Sequence, residues 1–369
     1  MGHHLKHKLT TAAHTATAHT SAAHIDRPAA EAPIDGSSPI RLLYYIAVKD
    51  RTLLQQGFFC EEVAALRASA LVSSVHATNS LSEVLTQDYD AVVSYFYSYS
   101  AIVAMVARLR GKRAVIVGGA EQIIREMAPS TWRYLIRMCG FFLTLLWCSK
   151  ILAASSSDLE KMRRIAFFKR SAIELAFHGT VASSQLDQAD FRRDRQRASM
   201  ITICKMDSAS NLLRKGVLRA IKLLANIREI EPGARLLIVG RSQFGDLARN
   251  CARELKCEDA VMLTSFVPDE VKYDLLRNAR YYLQLSDYEG FGVGALEALA
   301  LGCEVVHSNV GGLRDTIAQF GRVLSHADVQ MIDLEQPYDI RDWPEFQAHM
   351  AQFTIERRVE ALLRWLVRS

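Results

Sequence analysis

From Pro39 onward the chain alternates short apolar runs with stretches of helical period. RLLYYIA (41–47) reads as a strand and GFFCEEVAALRA (57–68) as the helix after it. LVSSVHA (71–77), DAVVSYF (90–96), RAVIVGG (113–119) and KILAAS (150–155) follow as strands, most of them separated by helical segments. Near-continuous apolar strands with helical crossovers imply a parallel sheet covered on both faces. Strands give way to helices at Gly57, Gly118 and Gly119, at the end of such a sheet where ligands bind.

The pattern breaks at 183–198, a polar stretch that reads as a linker; its Arg192, Arg193, Arg195 and Arg197 read as a solvated face. A second α/β unit follows. SMITICK (199–205), ARLLIVGR (234–241), AVMLTSF (260–266), ARYYLQLS (279–286) and CEVVHS (303–308) read as strands. Helices are expected from Lys215 and near 244–256, 269–278 and 292–301, and the tail from Trp343 reads as helix. The implied architecture is two doubly wound parallel-sheet lobes, 39–182 and 199–345, facing a central cleft, with a C-terminal helix (346–369) packing back on the first lobe.

Composition adds limits. At 369 residues the chain exceeds what one core usually supports. A net charge of +5 suits phosphates or an anionic membrane surface but is too weak to argue for nucleic acid. The seven cysteines include no C-x-x-C pair and read as small buried hydrophobes of a reducing, cytoplasmic compartment. Residues 1–38, rich in Ala, Thr, Ser and His, read as a disordered tail without the apolar core of a signal peptide. No run reaches the ~20 apolar residues that cross a bilayer. MCGFFLTLLWC (138–148), amid Arg133, Arg137, Lys150, Lys161, Arg163, Arg164, Lys169 and Arg170, fits either a buried core helix or one lying in a membrane interface.

The most informative stretch is 287–302, DYEGFGVGALEALALG. A strand ends at Ser286, a glycine-rich loop follows, and a helix begins near Gly292. Such a loop offers free backbone N–H groups at the positive end of a helix dipole, which suits a phosphate. Glu297 sits in an otherwise apolar helix, where a buried carboxylate is costly unless hydrogen-bonded. Glu289 lies eight residues earlier. Two acceptors for hydroxyls flanking a diphosphate describe a nucleotide sugar; a cap for Glu289 and a salt bridge for Glu297 form the competing reading.

The segment EGFGVGALEALALGCEVVHSNVGGLRDTI (289–317) resembles the signature of the retaining family-4 glycosyltransferases, often called group 1, which have the GT-B fold. The resemblance implies sugar transfer from a UDP-, GDP- or ADP-type donor to a glycan or lipid-linked hydroxyl, with retention and with neither metal nor cofactor. It places Glu289 on hydroxyls of the transferred sugar, the N–H groups in Gly290, Phe291, Gly292 and Val293 on sugar and diphosphate, and Glu297 on the ribose. Lys215, followed by Gly216, matches the family's diphosphate-binding Lys. Lys205 stands where the family carries Arg, so a point charge replaces a bidentate fork. Gly57 matches a first-strand glycine near the donor, and Glu121, after Gly118 and Gly119, replaces a His found in many members. These departures also leave open a non-catalytic nucleotide-sugar binder, while the Glu-x7-Glu spacing argues against an epimerase or phosphorylase. Asp88-Tyr89-Asp90 matches a metal-binding D-x-D, but its place before an N-lobe strand argues for a structural role. Gly290, Gly292 and Gly294 lack the spacing of a dinucleotide fingerprint.

Overall fold

The computed structural model describes residues 38–48, 57–128, 130–241, 243–324, 340 and 342–367. The tail (1–38, apart from Ser38) lies outside them. The first sheet contains β1 (Ile40–Ile46), β2 (Val72–Thr78), β3 (Ala91–Tyr95), β4 (Arg113–Val117), β5 (Lys150–Ala153) and β6 (Ile173–Leu175), in the order β2-β1-β3-β4-β5-β6. Every pairing is parallel. β3 is buried along its whole length, as expected of a strand with helices over both faces.

The second sheet contains β7 (Ser199–Ile203), β8 (Arg235–Val239), β9 (Val261–Thr264), β10 (Tyr281–Gln284), β11 (Glu304–His307) and β12 (Arg322–Val323). Its order, β12-β11-β10-β7-β8-β9, is also wholly parallel. The strand order reverses between β1 and β3 in the first lobe and between β7 and β10 in the second. Loops beyond the carboxyl ends of strands at such points form ligand crevices. β6 and β12 are absent from the sequence reading because three and two residues carry no readable period.

Seven helices place the residues that matter here: α1 (Gly57–Ala68), α2 (Thr131–Trp147), α3 (Ser156–Ile165), α4 (Asp269–Asn278), α5 (Val293–Ala300), α6 (Trp343–Met350) and α7 (Ile355–Leu366). The tail expected as one helix is two, with a 3-10 turn at Ala351–Phe353 between them. Phe346 and Met350 pack into the second lobe's core, whereas Val359, Leu362 and Leu366 pack into the first lobe's. The return to the first lobe therefore begins after Met350 rather than at 346. There Arg358, wholly buried, donates to Glu62 Oε2 (2.6 Å), the Ala176 carbonyl (3.0 Å) and Tyr95 OH (3.0 Å), while Tyr44 OH donates to Glu62 Oε1 (2.8 Å).

Two sequence expectations change here. Arg195 does not lie on a solvated face: its guanidinium donates to the carbonyls of Arg277, Gly302, Asp190 and Leu301, tying the linker to the second lobe. Helix α2, which carries 138–148, is a core helix along one side only: Phe141 and Leu145 are buried, whereas Leu143 and Leu146 are exposed.

Candidate active site

The loop after β10 is shaped by one backbone conformation. Gly292 caps α5 with φ +91°, and a Cβ there would meet Leu313 Cδ2 at 2.6 Å. Both the left-handed dihedral and the contact require glycine. The first N–H groups of α5 have no intrahelical acceptor, and residues 290–294 line a cleft of ≈ 350 Å³ between the two sheets' carboxyl ends.

Lys215 reaches this cleft through a second tight junction. Gly216 (φ +72°) ends one helix and starts the next, so close to β10 that a Cβ would lie 1.9 Å from the Leu285 carbonyl oxygen. Lys215 Nζ then donates to Glu289 Oε2 at 2.5 Å. Gln284 Nε2 (3.1 Å) and Ser286 Oγ (3.4 Å) also donate to that oxygen. Three donors thus fix Glu289 through Oε2, leaving Oε1 for another partner. Glu289 is thus held by one oxygen and available through the other.

Glu297 is not part of the cleft lining. It is buried on α5 and accepts from Lys272 Nζ at 2.8 Å, and Lys272 also reaches Asp269 at 2.8 Å. Burial raises the Glu297 carboxyl to about 7, against the opposing pull of Lys272. Lys205 is exposed, pairs with Asp207 at 3.0 Å and does not line the cleft. Gly57 opens α1 (φ +59°), and its neighbours Phe58 and Phe59 line the cleft in its place. Glu121 does line the cleft, beside Gly118 and Gly119. Asp88 and Asp90 both accept from Arg41, which gives the D-x-D pair a structural role. Among the described residues no group of three or more His, Cys, Asp or Glu converges as metal ligands.

The sequence reading missed several cleft residues. Asp158 stands at the third position of α3, where its N–H donates to the Ser155 side chain. Tyr288 OH donates to Asp158 Oδ1 at 2.5 Å, and Lys161 Nζ lies 4.4 Å from the Tyr288 ring centre. Asp158 Oδ2 is buried without a hydrogen bond; the nearby Ala120 N–H favours the carboxylate without completing one. Burial raises this carboxyl to about 7. Ser-Ser-Ser-Asp at the end of β5 could have marked it, since an acid three residues after a capping serine opens a helix. His178 also lines the cleft, its ring edge-on to Phe291 at 5.2 Å and held neutral by burial. No sequence motif announces it.

Comparison with solved structures decides the architecture. Anabaena HepE in complex with UDP and glucose superposes with a TM-score of 0.66 at 15% identity, over 88% of this chain and 99% of that one. Sucrose-phosphate synthase from Thermosynechococcus elongatus gives 0.59 at 16% identity, over 88% and 95%. The fold is GT-B. Within this GT-B chain, residues 208–333 match the family model for glycosyl transferases group 1, a span containing Lys215, Glu289 and Glu297 but not Lys205, Glu121 or Gly57. An uncharacterized glycosyltransferase of Methanocaldococcus jannaschii is 34% identical over 104 residues, 28% of this chain and 26% of that protein. GDP-mannose:cellobiosyl-diphosphopolyprenol alpha-mannosyltransferase of Komagataeibacter xylinus is 27% identical over 163 residues, 44% and 39%. The chain thus aligns with well under half the length of these curated relatives.

Proposed function

We propose that the protein transfers a sugar from a nucleotide-diphosphate sugar to a hydroxyl acceptor, with retention of anomeric configuration and without a metal or cofactor. The observation that carries this reading is the joining of Lys215 and Glu289 beside the N-terminus of α5, in a cleft whose far wall is the first lobe. Lys215 and the α5 N–H groups would hold the diphosphate, and Glu289 Oε1 would accept from a sugar hydroxyl. The bond from the sugar's anomeric carbon to the diphosphate breaks as the acceptor oxygen attacks from the same face. The acceptor's proton passes to a leaving diphosphate oxygen. Stabilising the charge on that leaving group is then the largest contribution. Glycosyltransferase names among the relatives support the class, and the polyprenol-linked acceptor in one name supports a lipid-linked acceptor.

A second reading rests on Lys205: with that cation outside the cleft, the site could bind a nucleotide sugar without turning it over. A thermal-shift screen of UDP-, GDP- and ADP-sugars tests donor binding, since a specific ligand raises stability by mass action. NMR of the product formed in excess EDTA then tests transfer, retention and metal independence together. A stabilised protein that releases no nucleoside diphosphate with any acceptor supports the second reading, and absence of any shift refutes both.

A further inference from the structure

Helix α2 is apolar on two opposite faces. One, with Phe141 and Leu145, packs into the first lobe's core. On the other, Trp132, Leu135, Ile136, Cys139, Leu143 and Leu146 are all exposed, Trp132 by 71% and Leu146 by 61%. At ~100° per residue these six positions fall on one stripe about 100° wide, and the stripe carries no charge. Phe142, at its flank, lies 5.9 Å from the Phe168 ring, and Phe168 lies 5.6 Å from Phe167, itself 71% exposed. The aromatic pair therefore extends the stripe into one contiguous apolar surface. A contiguous exposed apolar surface with Trp and Phe fits an interaction site.

Positive charge borders it. Arg164 and Arg170, on either side of Phe167 and Phe168 in sequence, line an open groove of ≈ 680 Å³ with Arg163, Ser156, Leu159 and Glu160. Arg163 donates to the Ile173 carbonyl. Among the described residues Arg164, Arg170 and Arg133 make no ion pair, so their charge is directed to solvent. An apolar helical stripe with Trp and Phe beside unpaired arginines is complementary to an anionic lipid surface, with side chains among the acyl chains and guanidinium groups on phosphates. No described helix is long and apolar enough to cross a bilayer, so the contact would lie in the interface plane.

We propose that α2 and the Phe167–Phe168 turn dock the protein on an anionic bilayer, with the Arg163–Arg164–Arg170 groove receiving lipid phosphates. Docking brings the cleft close to that surface, because α3 carries Arg163 and Arg164 at its end and Asp158 near its start, ~8 Å apart along the helix. The proposal stands on surface residues alone and does not depend on the transferase reading.

The test is co-sedimentation of the full chain with phosphatidylglycerol-containing phosphatidylcholine vesicles, and with pure phosphatidylcholine. Binding to the anionic vesicles that weakens with salt is expected. Arg164→Gln with Arg170→Gln should lower partitioning roughly 25-fold, about fivefold per arginine. Trp132→Ser with Leu143→Ser should lower it at least about tenfold. Both double variants should retain the wild-type melting temperature, since their side chains face solvent. No binding to anionic vesicles, binding unchanged by both double variants, or binding abolished by millimolar inorganic phosphate at constant ionic strength would overturn the proposal. So would a dimer in solution that the Trp132→Ser, Leu143→Ser variant converts to monomer.

Discussion

Tyr288 of the second lobe donates its hydroxyl to Asp158 of the first at 2.5 Å, joining the lobes across the cleft. It is the only hydrogen-bond donor to Oδ1 among the described residues, and Oδ2 has none. Tyr288→Phe would leave a buried carboxyl unsatisfied, at a cost of roughly 1–3 kcal/mol. Denaturant unfolding should show that loss, and a variant as stable as wild type would show that the contact does not hold the lobes.

The same carboxyl makes stability depend on pH. Burial raises it to about 7 from 3.8, so between those values the native state keeps a proton that the unfolded chain has lost. Its contribution is fully present below the unfolded value and declines as pH rises through about 7. Asp158→Asn removes this term while Glu297, also near 7, remains in both proteins. Melting temperatures from pH 5 to pH 8 should therefore move in the variant's favour as pH rises, and parallel curves would refute the assignment.

Glu62 and Arg358 are buried together, with Tyr44 and Tyr95 completing their hydrogen bonds. Glu62→Ala would leave an unpaired guanidinium in the first lobe's core and should destabilise the protein by about 3–5 kcal/mol. Replacing both charges with apolar residues of similar volume should recover most of that loss. Equal damage from the single and double variants in calorimetric melts would contradict this.

Gly292→Ala places a side chain at φ +91° and against Leu313. The strain, about 1–3 kcal/mol, should distort the loop that lines the cleft. Calorimetry should record at least tenfold weaker binding of the preferred nucleotide sugar, and unchanged affinity would remove the loop from the donor site.

Strand–helix alternation made both sheets legible in the sequence, because strands buried on both faces are continuous apolar runs. The glycine-rich loop and Glu289 were legible for the same local reason: one strand end, one turn and one helix start hold them together. What could not be read depends on contacts across long sequence distances. Asp158 meets Tyr288 only when two lobes close, and Arg195 finds four carbonyls that no local pattern reveals. Lys205 and Glu297 lie outside the lining of the cleft, and position in a motif does not report side-chain direction. Each instead satisfies a nearer partner, Asp207 and Lys272.

In the proposed reaction Lys215, held against Glu289, grips the leaving diphosphate. The direct measurement is nucleoside-diphosphate release from the nucleotide sugar that most stabilises the protein, comparing wild type with Lys215→Ala and Lys205→Ala. Losing Lys215 should slow release by roughly 10²- to 10³-fold, as for one oxyanion-hole donor, measured at a temperature where both proteins stay folded because Glu289 would keep only its Gln284 and Ser286 donors. Losing the exposed Lys205 should cost far less. Near-wild-type release by Lys215→Ala, or an equal loss from Lys205→Ala, would contradict the account.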